Sequence, residues 1–164
     1  MRGEITEGWD VAQICENGHV LNGYAQTHPQ RNQKFCSRCG KPTLIACPAC
    51  HAPIRGKYHH PDVVNATRMQ TAPAFCHKCG QPYPWTSERL ATARAIVEES
   101  ALDPESKKLF AENVEDLVSD QPRTQLAAQR VAKILAKLAK PAAAAVRDVL
   151  VDIASESVRK IITG

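Results

Sequence analysis

Aromatic side chains are scarce in this sequence, and it contains no long apolar run. Phe, Trp and Tyr account for only 5% of the 164 residues, which argues against a large core filled with aromatic rings. No stretch of about 18 or more uncharged apolar residues is present, so the sequence predicts no membrane span. Residues 1–10 contain acidic side chains and lack the apolar segment of a secretory signal, so we expect a cytoplasmic protein.

Cysteine and histidine are missing from residues 86–164, although residues 1–85 contain seven cysteines and six histidines. Disulfides are rare in the reducing cytoplasm, where clustered cysteines usually bind metal or act in catalysis. The alternative, that the cysteines are buried apolar side chains, does not account for three C-x-x-C pairs. The change in composition predicts two domains: a metal-binding domain at residues 1–85 and a helical tail at residues 86–164.

Eight candidate metal ligands follow one another along the chain as four pairs. They are Cys15 with His19, Cys36 with Cys39, Cys47 with Cys50, and Cys76 with Cys79. Thiolates and imidazoles in groups of four, with no open position, are typical of structural zinc sites, and iron is the alternative. We therefore predict two structural Zn²⁺ ions per chain.

Two of the C-x-x-C segments repeat each other, which indicates how the ligands are shared. Residues 35–42 read FCSRCGKP and residues 75–82 read FCHKCGQP, identical in five of eight positions. The repeat favours two tandem zinc ribbons, small metal-stabilised β structures in which the first two pairs share one ion and the last two the other. A cross-braced arrangement, as in RING domains, would instead join alternate pairs.

Only one of the six histidines is a favoured metal ligand. His19 follows an Asn-Gly turn that brings it back towards Cys15, so we prefer it as a ligand to the alternative of a surface histidine. A third, catalytic metal site at His51, His59 and His60 is the less favoured interpretation, and solvent-facing loop positions are the simpler one for these residues.

Helical spacing of apolar residues begins after the cysteine-rich part. We predict about four helices, at about residues 87–101, 103–120, 123–140 and 143–162. Ser87 and Asp103 are the predicted N-caps of the first two, and Pro141 is predicted to end the third. The apolar stripes are narrow, so the helices must collapse together or dock on another chain. We expect a helical hairpin or bundle that also associates with itself.

Opposite charges mark the second and third predicted helices. Residues 103–120 contain six acids and two lysines, whereas residues 121–140 contain five bases and no acid. We predict that these two helices pack against each other. The alternative is that the basic helix lies on an anionic membrane or on nucleic acid.

Several motifs together resemble double zinc ribbon proteins, and more closely a bacterial family of unknown function that joins such ribbons to a helical tail. They lie at residues 15–19, 35–40, 47–50, 75–80, 122–124 and 150–156. The resemblance implies a bacterial intracellular protein and no particular activity. The tail is similar to those of small proteins encoded beside defence genes, which implies an accessory role in a bacterial defence system.

The charge of the metal-loaded domain bears on its partners. Residues 1–85 contain nine Lys and Arg and five Asp and Glu, and seven thiolates with two zinc ions bring the charge to about +1. A nearly neutral domain lacks the usual electrostatic footprint for nucleic acid. Arg31, Lys34, Arg38 and Lys41 could still form a local basic patch, so nucleic-acid binding is the alternative function.

No sequence pattern indicates an enzyme. Phosphate-binding loops, serine-hydrolase motifs and H-E-x-x-H are missing, and every cysteine is assigned to metal. We therefore expect a non-catalytic zinc-binding adaptor or assembly module, with no small-molecule substrate. Its expected partner is another protein or its own copies, bound through the helical tail.

Overall fold

The computed structural model describes residues 7–60, 62–63 and 68–164. The chain divides into two compact units, Met1–Thr86 and Ser87–Gly164, which we call the N-terminal unit and the helical unit. The division falls one residue beyond the predicted domain boundary, because Trp85 and Thr86 are buried in the N-terminal unit.

Short antiparallel strands form the N-terminal unit. The described residues contain five: β1 (Gly8–Val11), β2 (Gln13–Cys15), β3 (Val20–Asn22), β4 (Thr43–Leu44) and β5 (Arg55–His59). β1 pairs with β5, and β2 lies between β3 and β4 in a separate sheet. Sheets this small bury little apolar area, so the unit needs a further source of stability.

A compact apolar core lies beside these sheets. Its buried members are Ala12, Ile14, Cys47, Ala52, Ile54, Cys76, Tyr83 and Trp85. Gly56 allows the chain to pass close to this region, since a Cβ at this position would lie 2.3 Å from the carbonyl oxygen of Gly23. Two of the core residues are candidate metal ligands, so the core and the ligand clusters form one structure.

Helices make up the C-terminal half of the chain, as predicted. The described residues contain five: α1 (Pro84–Glu98), α2 (Pro104–Asn113), α3 (Thr124–Lys137), α4 (Lys140–Val151) and α5 (Glu156–Thr163). A 3₁₀ turn at Glu115–Leu117 follows α2. No helix in the described ranges is both long and apolar enough to cross a membrane.

The prediction that Ser87 caps the first helix is wrong, since α1 begins at Pro84. Proline suits the first turn because its φ is already helical and its missing N–H has no role there. The hydroxyl of Thr86 donates to the carbonyl of Ala74 at 2.9 Å and anchors this first turn. Ser87 is an exposed residue within the helix.

The N-cap predicted for the second helix is confirmed. Asp103 has an extended backbone, and its carboxylate accepts a hydrogen bond from the backbone N–H of Ser106 at 2.8 Å. This carboxylate also accepts from the Ser106 hydroxyl at 2.7 Å, and these hydrogen bonds lower the pKa of Asp103. The α-helix ends at Asn113, earlier than predicted, and the 3₁₀ turn continues the chain.

Two predictions about the last helices are wrong. Pro141 lies in the first turn of α4 and opens that helix, whereas α3 ends at Lys137. The predicted helix at residues 143–162 is interrupted between α4 and α5, where Ala154 donates its N–H to the carbonyl of Leu150. Ser155 is extended there, and its N–H donates to the carbonyl of Leu117, so tertiary contact replaces a helical hydrogen bond.

Helix α3 is the centre of the helical unit, in contact with α2, α4 and α5. Arg130 donates to the Asn113 side chain at 3.3 Å, and Lys137 donates to the Ser106 hydroxyl at 3.1 Å. The predicted packing of the acidic segment on the basic helix is therefore observed. The apolar stripes are buried within the unit: Phe110, Val114, Leu117, Val131, Ile134, Leu135, Val146, Leu150, Val158 and Ile162.

Candidate metal centres

The eight predicted ligands meet in two clusters. The first cluster consists of Cys15, His19, Cys36 and Cys39, and the second cluster consists of Cys47, Cys50, Cys76 and Cys79. In each cluster all four donor atoms lie within 4.8 Å of one another. Consecutive pairs along the chain therefore share a cluster, and the cross-braced alternative, which would place Cys15 beside Cys47, does not occur.

Distances between donor atoms test whether a metal ion fits. The Cys15 and Cys39 sulfurs of the first cluster are 3.8 Å apart, as are the Cys47 and Cys79 sulfurs of the second. A tetrahedral ion with metal–sulfur bonds of about 2.3 Å separates its sulfurs by about 3.8 Å. The donor atoms therefore match the edges of a tetrahedron, whereas the roughly 2.05 Å of a disulfide is excluded.

His19 completes the first cluster through its Nδ1 atom. This nitrogen lies 3.5 Å from the sulfurs of both Cys15 and Cys36. A tetrahedral ion with one nitrogen and one sulfur ligand separates these atoms by about 3.5–3.6 Å. The residues of the first cluster could thus hold one metal ion with a Cys₃His donor set, and those of the second cluster could hold one with a Cys₄ set.

Three C-x-x-C turns have the same backbone structure, and we call them knuckles 1, 2 and 3 (residues 35–42, 46–53 and 75–82). In each, the first cysteine accepts a backbone hydrogen bond from the residue after the second cysteine: Gly40, His51 and Gly80. In each, the residues at the two ends form an antiparallel bridge: Phe35 with Pro42, Ala46 with Pro53 and Phe75 with Pro82. The knuckle therefore occurs three times, although the sequence alone showed only the copies at residues 35–42 and 75–82.

A residue with positive φ follows the second cysteine of each knuckle. Gly40 and Gly80 have φ of 72°, where glycine is the favoured residue. His51 holds the same place in knuckle 2 with φ of 60°. Its side chain was expected in an ordinary loop, but its backbone is required by the knuckle.

The Cys15–His19 turn differs from the knuckles. The N–H of Cys15 donates to the carbonyl of His19 at 3.0 Å, and the N–H of Gly18 returns to the carbonyl of Cys15 at 2.8 Å. Gly18 has φ of 86°, and a Cβ there would lie 2.9 Å from the Cβ of Trp85. Glycine is therefore needed both for the turn and for the close contact with Trp85.

Backbone N–H groups stabilise the thiolate of Cys76. Hydrogen bonds from the N–H groups of Cys79 and Lys78 lower the pKa of Cys76 to about 6. At Cys79 the N–H of Gln81 lowers the pKa, but burial and the neighbouring thiols outweigh it and raise the pKa to about 12. Four thiolates this close repel one another, so a cation is needed to keep all the sulfurs ionised.

The first cluster shows the opposite pattern to the second, in which the buried Cys76 has the lowered pKa and the exposed Cys79 the raised one. The backbone N–H of Lys41 lowers the pKa of the exposed Cys39, whereas burial raises the pKa of Cys15. The fully buried Cys15 also accepts from the N–H of His19 at 3.3 Å. Hydrogen bonds of this kind orient thiolate ligands and compensate part of their charge.

The remaining histidines do not form another cluster. His60 lies 3.9 Å from the carboxylate of Asp62, and His59 ends strand β5. Within residues 7–60, 62–63 and 68–164, Cys, His, Asp and Glu side chains form the two clusters above and no third group that could hold a metal ion. The less favoured interpretation of a catalytic metal at His51, His59 and His60 has no support there.

The fold and the two clusters define the class of protein to which this chain belongs. A small β unit with two four-donor clusters, followed by a helical unit, defines a Cys/His-cluster protein with a helical C-terminal half. The chain belongs to the family described as "Uncharacterized protein conserved in bacteria (DUF2321)", whose model matches residues 8–162. The resemblance to an uncharacterised bacterial family is thereby confirmed. Searches for similar curated proteins and for similar solved structures found no match.

Proposed function

We propose that this protein is a non-catalytic adaptor, stabilised by two structural zinc ions, that acts by binding another protein. The donor chemistry supports zinc, since closed Cys₃His and Cys₄ sets are the usual structural zinc sites. All seven cysteines lie in the two clusters, so the proposal leaves no thiol for catalysis.

One exposed group of side chains carries the proposal, and we call it the Trp9 surface (Trp9, Arg55 and Tyr58). Trp9 on β1 is 51% exposed and pairs with Tyr58 on β5, which is 39% exposed. Their rings meet edge to face with centroids 5.3 Å apart. The guanidinium of Arg55 lies 5.3 Å from the centroid of the Trp9 ring.

The Trp9 surface has the composition of a protein-binding hot spot. Trp, Tyr and Arg are the residue types that contribute most to protein interfaces. The Tyr58 hydroxyl also donates to the carboxylate of Glu7 at 2.9 Å, so its ring is already held in place. Side chains that are fixed before binding lose less conformational entropy when a partner docks.

The helical unit was the expected docking element, and that expectation stays a prediction. Its apolar residues between 146 and 162 are buried inside the unit, so they do not require a second chain. Among its described residues, the exposed large apolar side chain is Leu126, which is 47% exposed. The N-terminal unit therefore offers the larger apolar contact, and an accessory role in bacterial defence would operate through it.

A comparison of three full-length proteins tests this proposal. The wild type, a W9A/Y58A variant and an L126A variant are cross-linked to their partners in the bacterium that encodes the chain. We expect a defined protein to be captured by the wild type and L126A, but not by W9A/Y58A. Zinc content should be equal in all three, because none of the substituted residues belongs to a cluster, and thermal unfolding verifies that each variant is folded at the temperature of the cross-linking.

Two results would contradict the proposal. If L126A rather than W9A/Y58A loses the partner, the helical unit is the docking element. If neither variant changes what is captured, no protein binds through these surfaces. Light scattering on the purified proteins measures self-association, because cross-linking alone does not distinguish a second copy of the chain from a different partner.

A further inference from the structure

The three knuckles share a backbone but differ in their exposed side chains. Knuckles 1 and 3 each begin with an exposed phenylalanine, Phe35 at 54% and Phe75 at 37% exposure. Each also has an exposed basic residue directly before its second cysteine, namely Arg38 and Lys78. Knuckle 2 has Ala46 and Ala49 at these two positions.

Knuckle 2 shows that the fold does not need the phenylalanine or the base. Its terminal bridge and its backbone hydrogen bonds are the same as in the other two knuckles. A ring as exposed as that of Phe35 gains less stability from folding than a buried ring does, because the stabilisation scales with the apolar area removed from water. The repeated pairing of Phe with a cation in knuckles 1 and 3 therefore calls for an explanation outside the fold.

Basic side chains are concentrated in the segment that contains knuckles 1 and 2. Residues 17–61 contain six basic side chains and no Asp or Glu: Arg31, Lys34, Arg38, Lys41, Arg55 and Lys57. Among the described residues, no ion pair involves Arg38 or Lys78. The ammonium of Lys34, directly before knuckle 1, lies 5.7 Å from the centroid of the Phe35 ring.

We propose that knuckles 1 and 3 bind single-stranded nucleic acid. Knuckles 1 and 3 each offer an exposed ring and, three residues further along the chain, an exposed cation, and the repeat unit of a nucleic acid strand is a flat base next to a phosphate. Phe35 and Phe75 stack on unpaired bases, and Arg38 and Lys78 contact the backbone. An acidic peptide would satisfy the charges but offers no regular series of flat groups for two equivalent phenylalanines.

The predicted binding is weak and depends on salt. The zinc-loaded N-terminal unit is close to neutral, so few counterions are released when it binds. Affinity then depends mainly on stacking, which favours single strands over duplexes because duplex bases are already stacked. This site uses residues other than the Trp9 surface, so it does not depend on the proposed protein partner.

Fluorescence anisotropy with the zinc-loaded full chain tests the proposal. The probes are a labelled oligothymidylate of about 15 nucleotides, the corresponding duplex and a labelled poly-glutamate, at about 50 and 150 mM salt. We expect F35A/F75A to weaken oligothymidylate binding about tenfold or more. We expect R38A/K78A to reduce the salt dependence, by about one unit of slope for each cation removed.

Matched controls separate the site from general charge and from the Trp9 surface. K133A/K140A removes two exposed lysines of the helical unit and should leave oligothymidylate binding unchanged, and so should W9A/Y58A. Zinc content and far-ultraviolet circular dichroism together establish that each variant is folded. Absence of binding at about 100 µM protein would overturn the proposal, as would equal losses in K133A/K140A. Tighter binding of the duplex, or of poly-glutamate through Phe35 and Phe75, would also overturn it.

Discussion

Trp85 stacks on Tyr83, with ring centroids 4.6 Å apart and an angle of 18° between the ring planes. Both side chains are only 1% exposed, and the indole N–H of Trp85 donates to the carbonyl of Pro73 at 2.8 Å. Trp85 lies in the core with the ligands of the second cluster and also contacts the Gly18 turn of the first. One aromatic side chain thus connects both candidate metal centres.

This position makes Trp85 a reporter of the second cluster. Cys76 is a buried member of the same core, so C76S should expose Trp85 and shift its fluorescence to longer wavelength. The measurement requires a W9F background, because Trp9 is exposed and would contribute its own signal. We expect far-ultraviolet circular dichroism to retain most of the helical signal, since the helical unit has its own core. Complete loss of helicity would mean that the two units fold as one.

Metal analysis tests the donor assignment directly. Purified full-length protein should contain about two zinc ions per chain, because the four donor atoms of each cluster are close enough together to bind one tetrahedral ion. H19A should reduce this to about one, whereas H60A should keep both, since His60 belongs to neither cluster. Iron in place of zinc, or full occupancy in H19A, would contradict the assignment.

The two four-donor clusters could be predicted from sequence because a C-x-x-C turn is a local structure. The spacing of a C-x-x-C pair brings its own two sulfurs to the same site. The sequence repeat then predicts which two pairs form one cluster. The third copy was missed because Ala46 and His51 replace the phenylalanine and glycine of the others. Its proline was the available signal, because Pro53 follows Cys50 at the same distance as Pro42 follows Cys39.

His51 provides a test of that threefold repeat. His51 has a φ of 60°, which costs a residue with a Cβ about 1 kcal/mol. Glycine would remove this strain, but it would also increase the conformational entropy of the unfolded chain and so offset part of the gain. We expect H51G to be neutral or to stabilise the protein by up to about 1 kcal/mol in urea unfolding with saturating zinc.

The matched control for H51G is G40A. A Cβ at Gly40 has no atom within 4 Å, so its cost is purely conformational and should be about 1–2 kcal/mol. Destabilisation of similar size in both variants would show that the His51 side chain, rather than its backbone, serves the knuckle.

Helix ends in the C-terminal half were harder to predict than helix positions. The apolar stripes locate the helical segments, although the last predicted helix is two helices, since burial of one face is the main source of helix stability. The break between α4 and α5 depends on Ser155 donating to the carbonyl of Leu117, a contact between distant parts of the sequence. The early start of α1 likewise depends on Thr86 and the carbonyl of Ala74, which no local pattern contains.

The carboxylate of Asp10 holds the loop that leads to the first knuckle. Asp10 is 1% exposed, and one of its oxygens accepts from the N–H groups of Val11 at 2.6 Å and Gln26 at 3.0 Å. The other oxygen accepts from the hydroxyl of Thr27 at 2.5 Å. D10A would leave these donors without their partner beside a buried position, at a cost of about 1–3 kcal/mol.

Hydrogen exchange and urea unfolding together check this role of Asp10. The N–H of Gln26 should exchange faster in D10A than in the wild type, and the urea midpoint should fall. D62A is the matched control, because the Asp62 side chain is 87% exposed and should be replaceable without loss of stability. Equal urea midpoints for D10A and D62A would mean that the buried carboxylate does not stabilise the loop. Faster exchange at Gln26 in both variants would mean that the loop responds to net charge instead.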